Sequence, residues 1–131
     1  MKKQKICIIG GGLSGLITAI SLSKLNCEID LIMDSFTKNL KSNRTIAISN
    51  NNLNLLMKLN ISKNFEKEIW PCSVVQLYSS NINKKFLKIF EIEKENEKIF
   101  YMIPNSKLIK LMINNIKKIQ NINMIKKKYK K

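Results

Sequence analysis

The sequence contains no histidine. Histidine is the usual general base near neutral pH and the commonest metal ligand in proteins. Its absence excludes catalysis by a serine–histidine or cysteine–histidine pair, and it excludes a histidine-bound metal. The three cysteines, Cys7, Cys27 and Cys72, lack the spacing of a metal-binding motif, and their odd number leaves one thiol unpaired. We therefore expect reduced thiols in a reducing, cytoplasmic compartment and no metal site.

The chain also lacks a long hydrophobic run. No stretch reaches the roughly 18 apolar residues that a membrane-spanning helix needs. The N-terminus superficially copies a secretory signal, because Met1–Lys5 is basic and a mostly apolar stretch continues to Leu25. Four glycines interrupt that stretch and no small-residue cleavage site follows it, which argues against a signal peptide.

Acidic residues are scarce, with 9 against 24 basic residues and a formal net charge of +15. Lysine, asparagine and isoleucine together make up 62 of the 131 residues, a bias typical of coding DNA rich in A and T. The charge is therefore weak evidence for a nucleic-acid partner. Residues 105–131 carry nine lysines and no acid, but Tyr129 is their only aromatic side chain. We expect a solvated tail and no nucleic-acid partner.

All four glycines lie within one six-residue window that directly follows an apolar run over residues 6–9. Such a window forms the strand, tight turn and helix N-terminus of a dinucleotide-binding βαβ unit. Gly10 permits the sharp exit from the strand, Gly12 leaves room for a pyrophosphate, and Gly15 lets the helix lie close to the strand. Backbone N–H groups and the positive helix end then face the phosphate. The predicted contacts are Gly10, Gly11, Gly12, Leu13, Ser14 and Gly15; the alternative is a plain glycine-rich turn.

Hydrophobic periodicity predicts the two strands and the helix of this unit. Residues 4–9 are apolar at nearly every position after Lys5, which indicates a buried strand. Apolar residues recur at helical spacing over 14–25, and 28–33 indicates a second strand joined to the first by a right-handed crossover. A polar, loop-like segment follows over residues 34–44.

The same periodicity predicts further helices and strands along the rest of the chain. A helix begins at about Asn51, and a shorter one over 62–69 is opened by Ser62 and ended by Pro71. Strands are predicted over 74–78, 86–92 and 99–103, with a polar connection through Asn81 and Asn83. Asn105 is predicted to cap a helix that carries Leu108 to Ile116, and residues 122–125 to begin another strand.

A carboxylate at the end of the second strand accepts hydrogen bonds from the ribose hydroxyls in such units. Asp34 lies 19 residues after Gly15, close to the usual spacing of about 20. The alternative is a loop aspartate that begins a turn with Ser35. No arginine directly follows Asp34 to receive a ribose 2′-phosphate, which weakly favours FAD or NAD over NADP.

Arg44 is the only arginine in a chain with 23 lysines. Because the composition so strongly favours lysine, an arginine at this position indicates a need for a planar, bidentate hydrogen-bond donor. The ammonium group of lysine cannot replace such a donor. Arg44 follows the second strand and lies close in sequence to Asp34. We expect a contact with a phosphate or a ribityl group; the alternative is an incidental surface arginine.

At these residues the sequence resembles a known family. Gly10, Gly12, Gly15, Ala19 and Leu22 match the GxGxxGxxxAxxL pattern of FAD-binding flavoproteins. The segment Arg44–Ser49, followed by Leu55, Leu56 and Leu59–Ile61, resembles the arginine-led segment of the flavin hydroxylases of ubiquinone biosynthesis. The segment Tyr101–Leu108 resembles a strand-to-helix segment of the same family.

The resemblance implies a para-hydroxybenzoate-hydroxylase-like fold that binds FAD and uses NAD(P)H as reductant. It implies hydroxylation of the aromatic ring of a small molecule, a polyprenyl-substituted phenol, in the cytoplasm at the periphery of the inner membrane. The sequence departs from the family pattern in three places. Counted without a gap, the acid that the family has at the end of the second strand falls on Met33, and the glycine of the preceding turn is replaced by Asn26. The family's later Gly-Asp motif lies beyond residue 131. No catalytic residue is identified within residues 1–131.

We therefore predict an α/β chain with a Rossmann-type FAD-binding βαβ unit, followed by helices and the start of a sheet-rich second region. Residues 1–34 form the dinucleotide-binding unit, 35–70 a loop and helices, 71–104 strands of the substrate-side sheet, and 105–131 a helix, a strand and the basic tail. We expect a truncated, N-terminal portion of a larger monooxygenase. The alternatives are another NAD- or FAD-dependent oxidoreductase and a non-catalytic remnant of such an enzyme.

Overall fold

The computed structural model of the protein describes residues 3–34, 43–61, 66–80 and 86–127. These residues form eight strands, three α-helices and one short 3₁₀ turn, Glu66–Glu68. The helices are α1 (Leu13–Leu22), α2 (Asn50–Lys58) and α3 (Asn105–Ile116). The strands are β1 (Gln4–Ile9), β2 (Cys27–Met33), β3 (Thr45–Ile48), β4 (Trp70–Cys72), β5 (Val74–Ser80), β6 (Phe86–Glu93), β7 (Phe100–Pro104) and β8 (Ile122–Lys126).

Three parallel strands form the first sheet, in the order β1, β2, β8. Strand β1 pairs with β2 from Gln4 opposite Cys27 to Ile9 opposite Ile32, and α1 is the crossover between them. The predicted βαβ unit is therefore confirmed. The strand predicted over residues 122–125 is also confirmed, and its neighbour is β2, on the side away from β1.

The hydrophobic core lies on one face of this sheet. In β2 every second side chain is buried, while Glu28, Asp30 and Ile32 alternate with them on the other face. Helices α1 and α3 contact each other, and the core cluster contains their apolar stripes together with the buried face of β2. The fully buried larger side chains are Leu16, Ile20, Ile29, Leu31, Met33, Ile103, Met112 and Ile116.

A second, antiparallel sheet has β7 at its centre, between β3 and β4. Thr45 lies opposite Pro104, and Trp70 lies opposite Met102. The backbone N–H of Asn105 donates to the carbonyl of Arg44 at 2.8 Å, so the start of α3 is joined to the start of β3. Strands β5 and β6 form a separate two-stranded hairpin in which no side chain is buried.

Three predicted details of these elements are wrong. The first helix ends at Leu22 rather than 25, because the Ser23 hydroxyl donates to the carbonyl of Ile20 and the chain turns. Pro71 lies inside β4; it is tolerated there because β4 is at the edge of its sheet, where a missing N–H removes no bond to a second neighbour. Asn105 is the first residue of α3 and Pro104 precedes it as the capping position.

Other parts of the sequence prediction fall partly or wholly on residues outside the described ranges. Of the helix predicted over 62–69, the structure describes only the 3₁₀ turn Glu66–Glu68, and Ser62 lies outside the described residues. The connection through Asn81 and Asn83 also lies outside them. Among the described residues, no helix is both long enough and apolar enough to cross a membrane.

Asparagine takes the place of glycine where α2 ends. Asn60 is the only non-glycine residue with positive φ in the described parts of the chain, at +57°. Its N–H donates to Met57 O and that of Ile61 to Leu56 O, the two hydrogen bonds of a Schellman motif. Asn26, where the family has a glycine, has no positive φ. The substitution at Asn26 therefore causes no backbone strain.

Asn121 stabilises the turn between α1 and β2. Its amide nitrogen donates to the carbonyls of Ser23 and Cys27, both at 2.9 Å. We expect Asn121→Ala to lower the free energy of unfolding by about 1–2 kcal/mol, because two partly buried carbonyls lose a donor. The control is Asn123→Ala, which removes an exposed amide bonded to Asp30 and should cost less than about 0.5 kcal/mol. Equal midpoints in urea denaturation would contradict this role.

Candidate functional site

The glycine window forms a tight turn between β1 and α1. Gly10 has φ +126°, a conformation that side chains other than glycine rarely adopt, and its N–H donates to Ile32 O at 2.8 Å. A Cβ on Gly15 would lie 2.0 Å from the carbonyl oxygen of Gly10. The sharp exit at Gly10 and the close approach at Gly15, both predicted from the sequence, are therefore confirmed.

Gly12 faces open space. It precedes α1 in an extended conformation, and a Cβ added to it would meet no atom of the described residues within 4 Å. Among the described residues no side chain caps α1, and its first turn has no acidic residue. The N–H groups of Leu13, Ser14 and Gly15, in the first turn, have no acceptor within the helix. The helix end therefore offers donors and a positive dipole to an anion, with room for it beside Gly12.

Gly11 lies against the end of β2. A Cβ on Gly11 would come within 2.8 Å of the Cβ of Met33, whose side chain is only 1% exposed. Met33 is also the position where the ungapped family pattern has its acid. In this chain a buried thioether supports the turn at that position, and a ribose-binding carboxylate must come from a neighbouring residue.

Asp34 is the next residue, and it is exposed. It lies at the carboxyl end of β2, the same sheet end as the glycine turn, since Gly10 bonds to Ile32 just before it. Lys127 N–H donates to Met33 O at 3.0 Å, so the end of β8 also reaches this place. Lys126 and Lys127 therefore lie near Asp34, which the sequence did not indicate because the pairing of β8 with β2 is a long-range contact. Binding of a ribose by Asp34 stays a prediction.

Arg44 is exposed and directly precedes β3. Its carbonyl is held by the N–H of Asn105, while the residues that follow it pass beside the first turn of α1. The structure thus brings the arginine segment to the glycine turn, across almost thirty residues of sequence. A contact between the guanidinium group and a phosphate or ribityl group stays a prediction.

One cavity of about 230 Å³ joins the two segments. Its walls are mostly apolar, and Ser14 and Asn52 contribute polar side chains. Ligand pockets usually measure about 300–1,000 Å³, so this cavity has room for part of a dinucleotide only. Nothing in the sequence indicates that Asn52 belongs to this cavity, because only the packing of α2 on the second sheet places it here. The lining residues are Leu13, Ser14, Ile17, Ile46, Ala47, Ile48, Asn52, Leu56, Leu108 and Met112.

A larger cavity, of about 590 Å³, lies at the opposite end of the parallel sheet. Lys5 and Asp30 line it and form an ion pair at 3.1 Å, and Asn123 also donates to Asp30. Three of its polar side chains, Lys5, Asp30 and Asn123, thus bond to one another. Ligands of parallel α/β sheets bind beyond the carboxyl ends of the strands, and this cavity lies at their amino ends. The smaller cavity is therefore the candidate site.

Comparison with protein-family models and with curated protein sequences finds no match. Solved structures do match. A mutant of 2-methyl-3-hydroxypyridine-5-carboxylic acid oxygenase has a TM-score of 0.72 at 18% identity, and the match covers 94% of this chain and 32% of that one. The p-nitrophenol 4-monooxygenase PnpA from Pseudomonas putida DLL-E4 has a TM-score of 0.68 at 16% identity, covering 95% and 32%. A mutant of PqsL from P. aeruginosa has a TM-score of 0.74 at 11% identity, covering 95% and 33%.

These matches establish the fold. The chain shares its α/β architecture with these three proteins over nearly all of its own length, and it spans about a third of theirs. The predicted α/β fold class is confirmed.

The two glycines at the start of α1 should respond differently to a methyl group. We expect Gly15→Ala to lower the free energy of unfolding by about 2–3 kcal/mol, because the new Cβ collides with the backbone carbonyl of Gly10. Gly12→Ala should cost less than about 1 kcal/mol, since its Cβ enters open space. Urea denaturation of both variants measures the difference, and equal losses would contradict the described turn.

Proposed function

We propose that this chain supplies the FAD-binding part of a flavin-dependent monooxygenase that hydroxylates an aromatic ring. The observation that carries the proposal is the open backbone at Gly12, at the N-terminus of α1 and beside the cavity shared with the arginine segment. The fold that the chain shares with aromatic oxygenases supports the reaction class.

The residues of the turn fit the diphosphate of FAD. The N–H groups at the start of α1 would donate to it, and the missing side chain at Gly12 lets it approach the backbone. Arg44 would donate to a phosphate or ribityl oxygen, and Asp34 would accept from the ribose hydroxyls. When bound, the flavin supplies the redox chemistry, taking electrons from NAD(P)H and activating oxygen for the ring.

The magnitudes indicate that this chain by itself binds FAD weakly. A helix N-terminus contributes about 0.3–2 kcal/mol toward an anion, and a hydrogen bond to a charged group about 1.5–3 kcal/mol. The helix end and one such hydrogen bond together give about 2–5 kcal/mol, below the roughly 8 kcal/mol that a micromolar Kd requires. Further bonds from Arg44 and Asp34 would bring the affinity closer to micromolar. The cavity beside the turn is also too small for a whole dinucleotide. We therefore expect a Kd between micromolar and millimolar.

The assignment of a substrate class depends on the sequence motifs. The segments that begin at Arg44 and at Tyr101 resemble the flavin hydroxylases of ubiquinone biosynthesis, and on that ground the substrate is a polyprenyl-substituted phenol. Such a substrate favours a place at the periphery of the inner membrane. No nucleic-acid partner is proposed, because the lysine-rich C-terminal segment has a single aromatic residue.

An NAD-binding oxidoreductase is the second candidate. The same turn geometry serves both dinucleotides, and an acid after the second strand suits either ribose. A non-catalytic remnant would keep the folded turn without affinity for FAD or NAD. Titration with FAD and NAD side by side distinguishes the three.

We expect FAD to bind the purified chain more tightly than NAD in calorimetric titrations. Gly12→Val should abolish binding while the circular dichroism spectrum stays unchanged, because the new side chain projects into the space proposed for the diphosphate, where an added Cβ meets no described atom within 4 Å. Arg44→Lys should weaken binding about tenfold, through the loss of a bidentate donor. Lys117→Arg, an exposed change on the far end of α3, is the matched control and should have no effect.

Two results would contradict the proposal. A folded chain without measurable affinity for FAD would remove the cofactor assignment. Equal FAD affinity of Gly12→Val and the unchanged chain would place the nucleotide elsewhere, even if binding itself were observed.

A further inference from the structure

The cavity beside the glycine turn has an apolar floor and an open mouth. Its floor consists of apolar side chains that are at most 5% exposed: Ile48, Leu56, Leu108 and Met112. Its mouth is formed by exposed residues of α1, β3 and α2, which are Ser14, Ala47 and Asn52. A ligand that enters the cavity therefore meets polar side chains first and hydrocarbon beneath them.

The two polar side chains at the mouth are available to a ligand. The backbone N–H of Asn52 donates to the hydroxyl of Ser49 at 3.3 Å, which completes the cap of α2. Within the described residues, neither the side-chain amide of Asn52 nor the hydroxyl of Ser14 forms a hydrogen bond to another protein group. An amide and a hydroxyl can each donate and accept, as the hydroxyl groups of a polyol do.

The cavity suits a neutral group rather than a phosphate. None of its lining residues in the described part of the chain carries a charge. A phosphate placed in it would lose water without gaining a cation, which is costly between apolar walls. A short polyol has carbon atoms that can lie on the apolar floor and hydroxyl groups that can face the mouth.

The position of the cavity indicates which part of FAD would reach it. Leu13 and Ser14 line it, and they belong to the turn of α1 where the diphosphate is proposed to bind. No described residue of β2 or β8 lines it, so it is separate from Asp34, where the adenosine ribose is proposed. The part of FAD on the other side of the diphosphate begins with the ribityl chain.

We propose that this cavity holds the ribityl chain of FAD and that Asn52 is a binding residue, its side-chain amide bonding to a ribityl hydroxyl. The volume of about 230 Å³ agrees with a part of the ligand of this kind, because the cavity is smaller than the pockets that hold whole ligands. This inference rests on the proposed FAD site, to which it adds one residue and a place for one part of the cofactor.

Nuclear magnetic resonance of the isotope-labelled full chain tests the proposal, with FAD and ADP as the two probes. ADP contains the adenosine and the diphosphate but no ribityl chain. We expect the side-chain amide signal of Asn52, identified by its loss in Asn52→Ala, to shift on titration with FAD and to stay in place with ADP. Signals of the glycine turn should shift with both, because both contain the diphosphate.

The affinities of two variants complete the test. Asn52→Ala should weaken FAD binding about three- to tenfold, the effect of one lost hydrogen bond, and should change ADP binding less than about twofold. Asn54→Ala is the matched control: it is the same change at an exposed position of α2 that does not line the cavity, and it should alter neither affinity by more than about twofold. Unchanged thermal unfolding of both variants confirms that the core is intact.

Two outcomes would overturn this inference while leaving the FAD site itself in place. Equal shifts of the Asn52 signal with FAD and with ADP would mean that the adenosine or the diphosphate lies at the cavity. FAD binding that leaves this signal unmoved, or that both variants weaken equally, would mean that Asn52 does not contact the cofactor. A chain without measurable affinity for FAD would instead remove the cofactor assignment, and this inference with it.

Discussion

The contact between the carbonyl of Gly10 and the backbone of Gly15 determines where α1 lies. Any side chain at Gly15 would overlap that carbonyl, so the helix begins directly against the turn. Two contacts stabilise this turn: the hydrogen bond from Gly10 N–H to Ile32 O and the packing of Gly11 on Met33. The N-terminus of α1 therefore has a defined position at the carboxyl ends of β1 and β2. The opening at Gly12 and the cavity shared with β3 both depend on that position.

The parallel sheet is covered on one face only by the described residues. Helices α1 and α3 bury one side of β2, and that side supplies Cys27, Ile29, Leu31 and Met33 to the core. Parallel sheets usually have both faces covered. On the other face Ile9 is 68% exposed, and in the hairpin no side chain is buried. Among the described residues, exposed apolar side chains thus include Ile9 on the uncovered sheet face and several in β5 and β6.

Asparagine takes positions at two turns of this chain. Asn60 ends α2 in a left-handed conformation that is commonly given to glycine, and Asn121 bonds to two carbonyls of the turn before β2. Glycine remains only in the turn between β1 and α1. Gly10, Gly11 and Gly15 are retained for reasons of backbone geometry or packing, whereas in the described part of the chain no atom occupies the space beside Gly12. That difference separates the structural glycines from the candidate ligand-binding one.

The sequence by itself determined the elements whose signal is local. The apolar run before Gly10, the helical spacing through Ala19 and the apolar segments of β5 and β6 each depend on neighbouring residues, and the structure has a strand or helix at each. The burial predicted for β1 is wrong, because its side chains are exposed or half-buried and the core lies on the β2 side of the sheet. It also indicated the roles of Gly10 and Gly15, because a backbone turn limits which residues fit it. The tertiary structure alone decided that β7 lies between β3 and β4, that β8 pairs with β2, and that Asn52 joins Ser14 in one cavity. Such pairings depend on contacts between distant residues, and hydrophobic periodicity carries no information about which strands become neighbours.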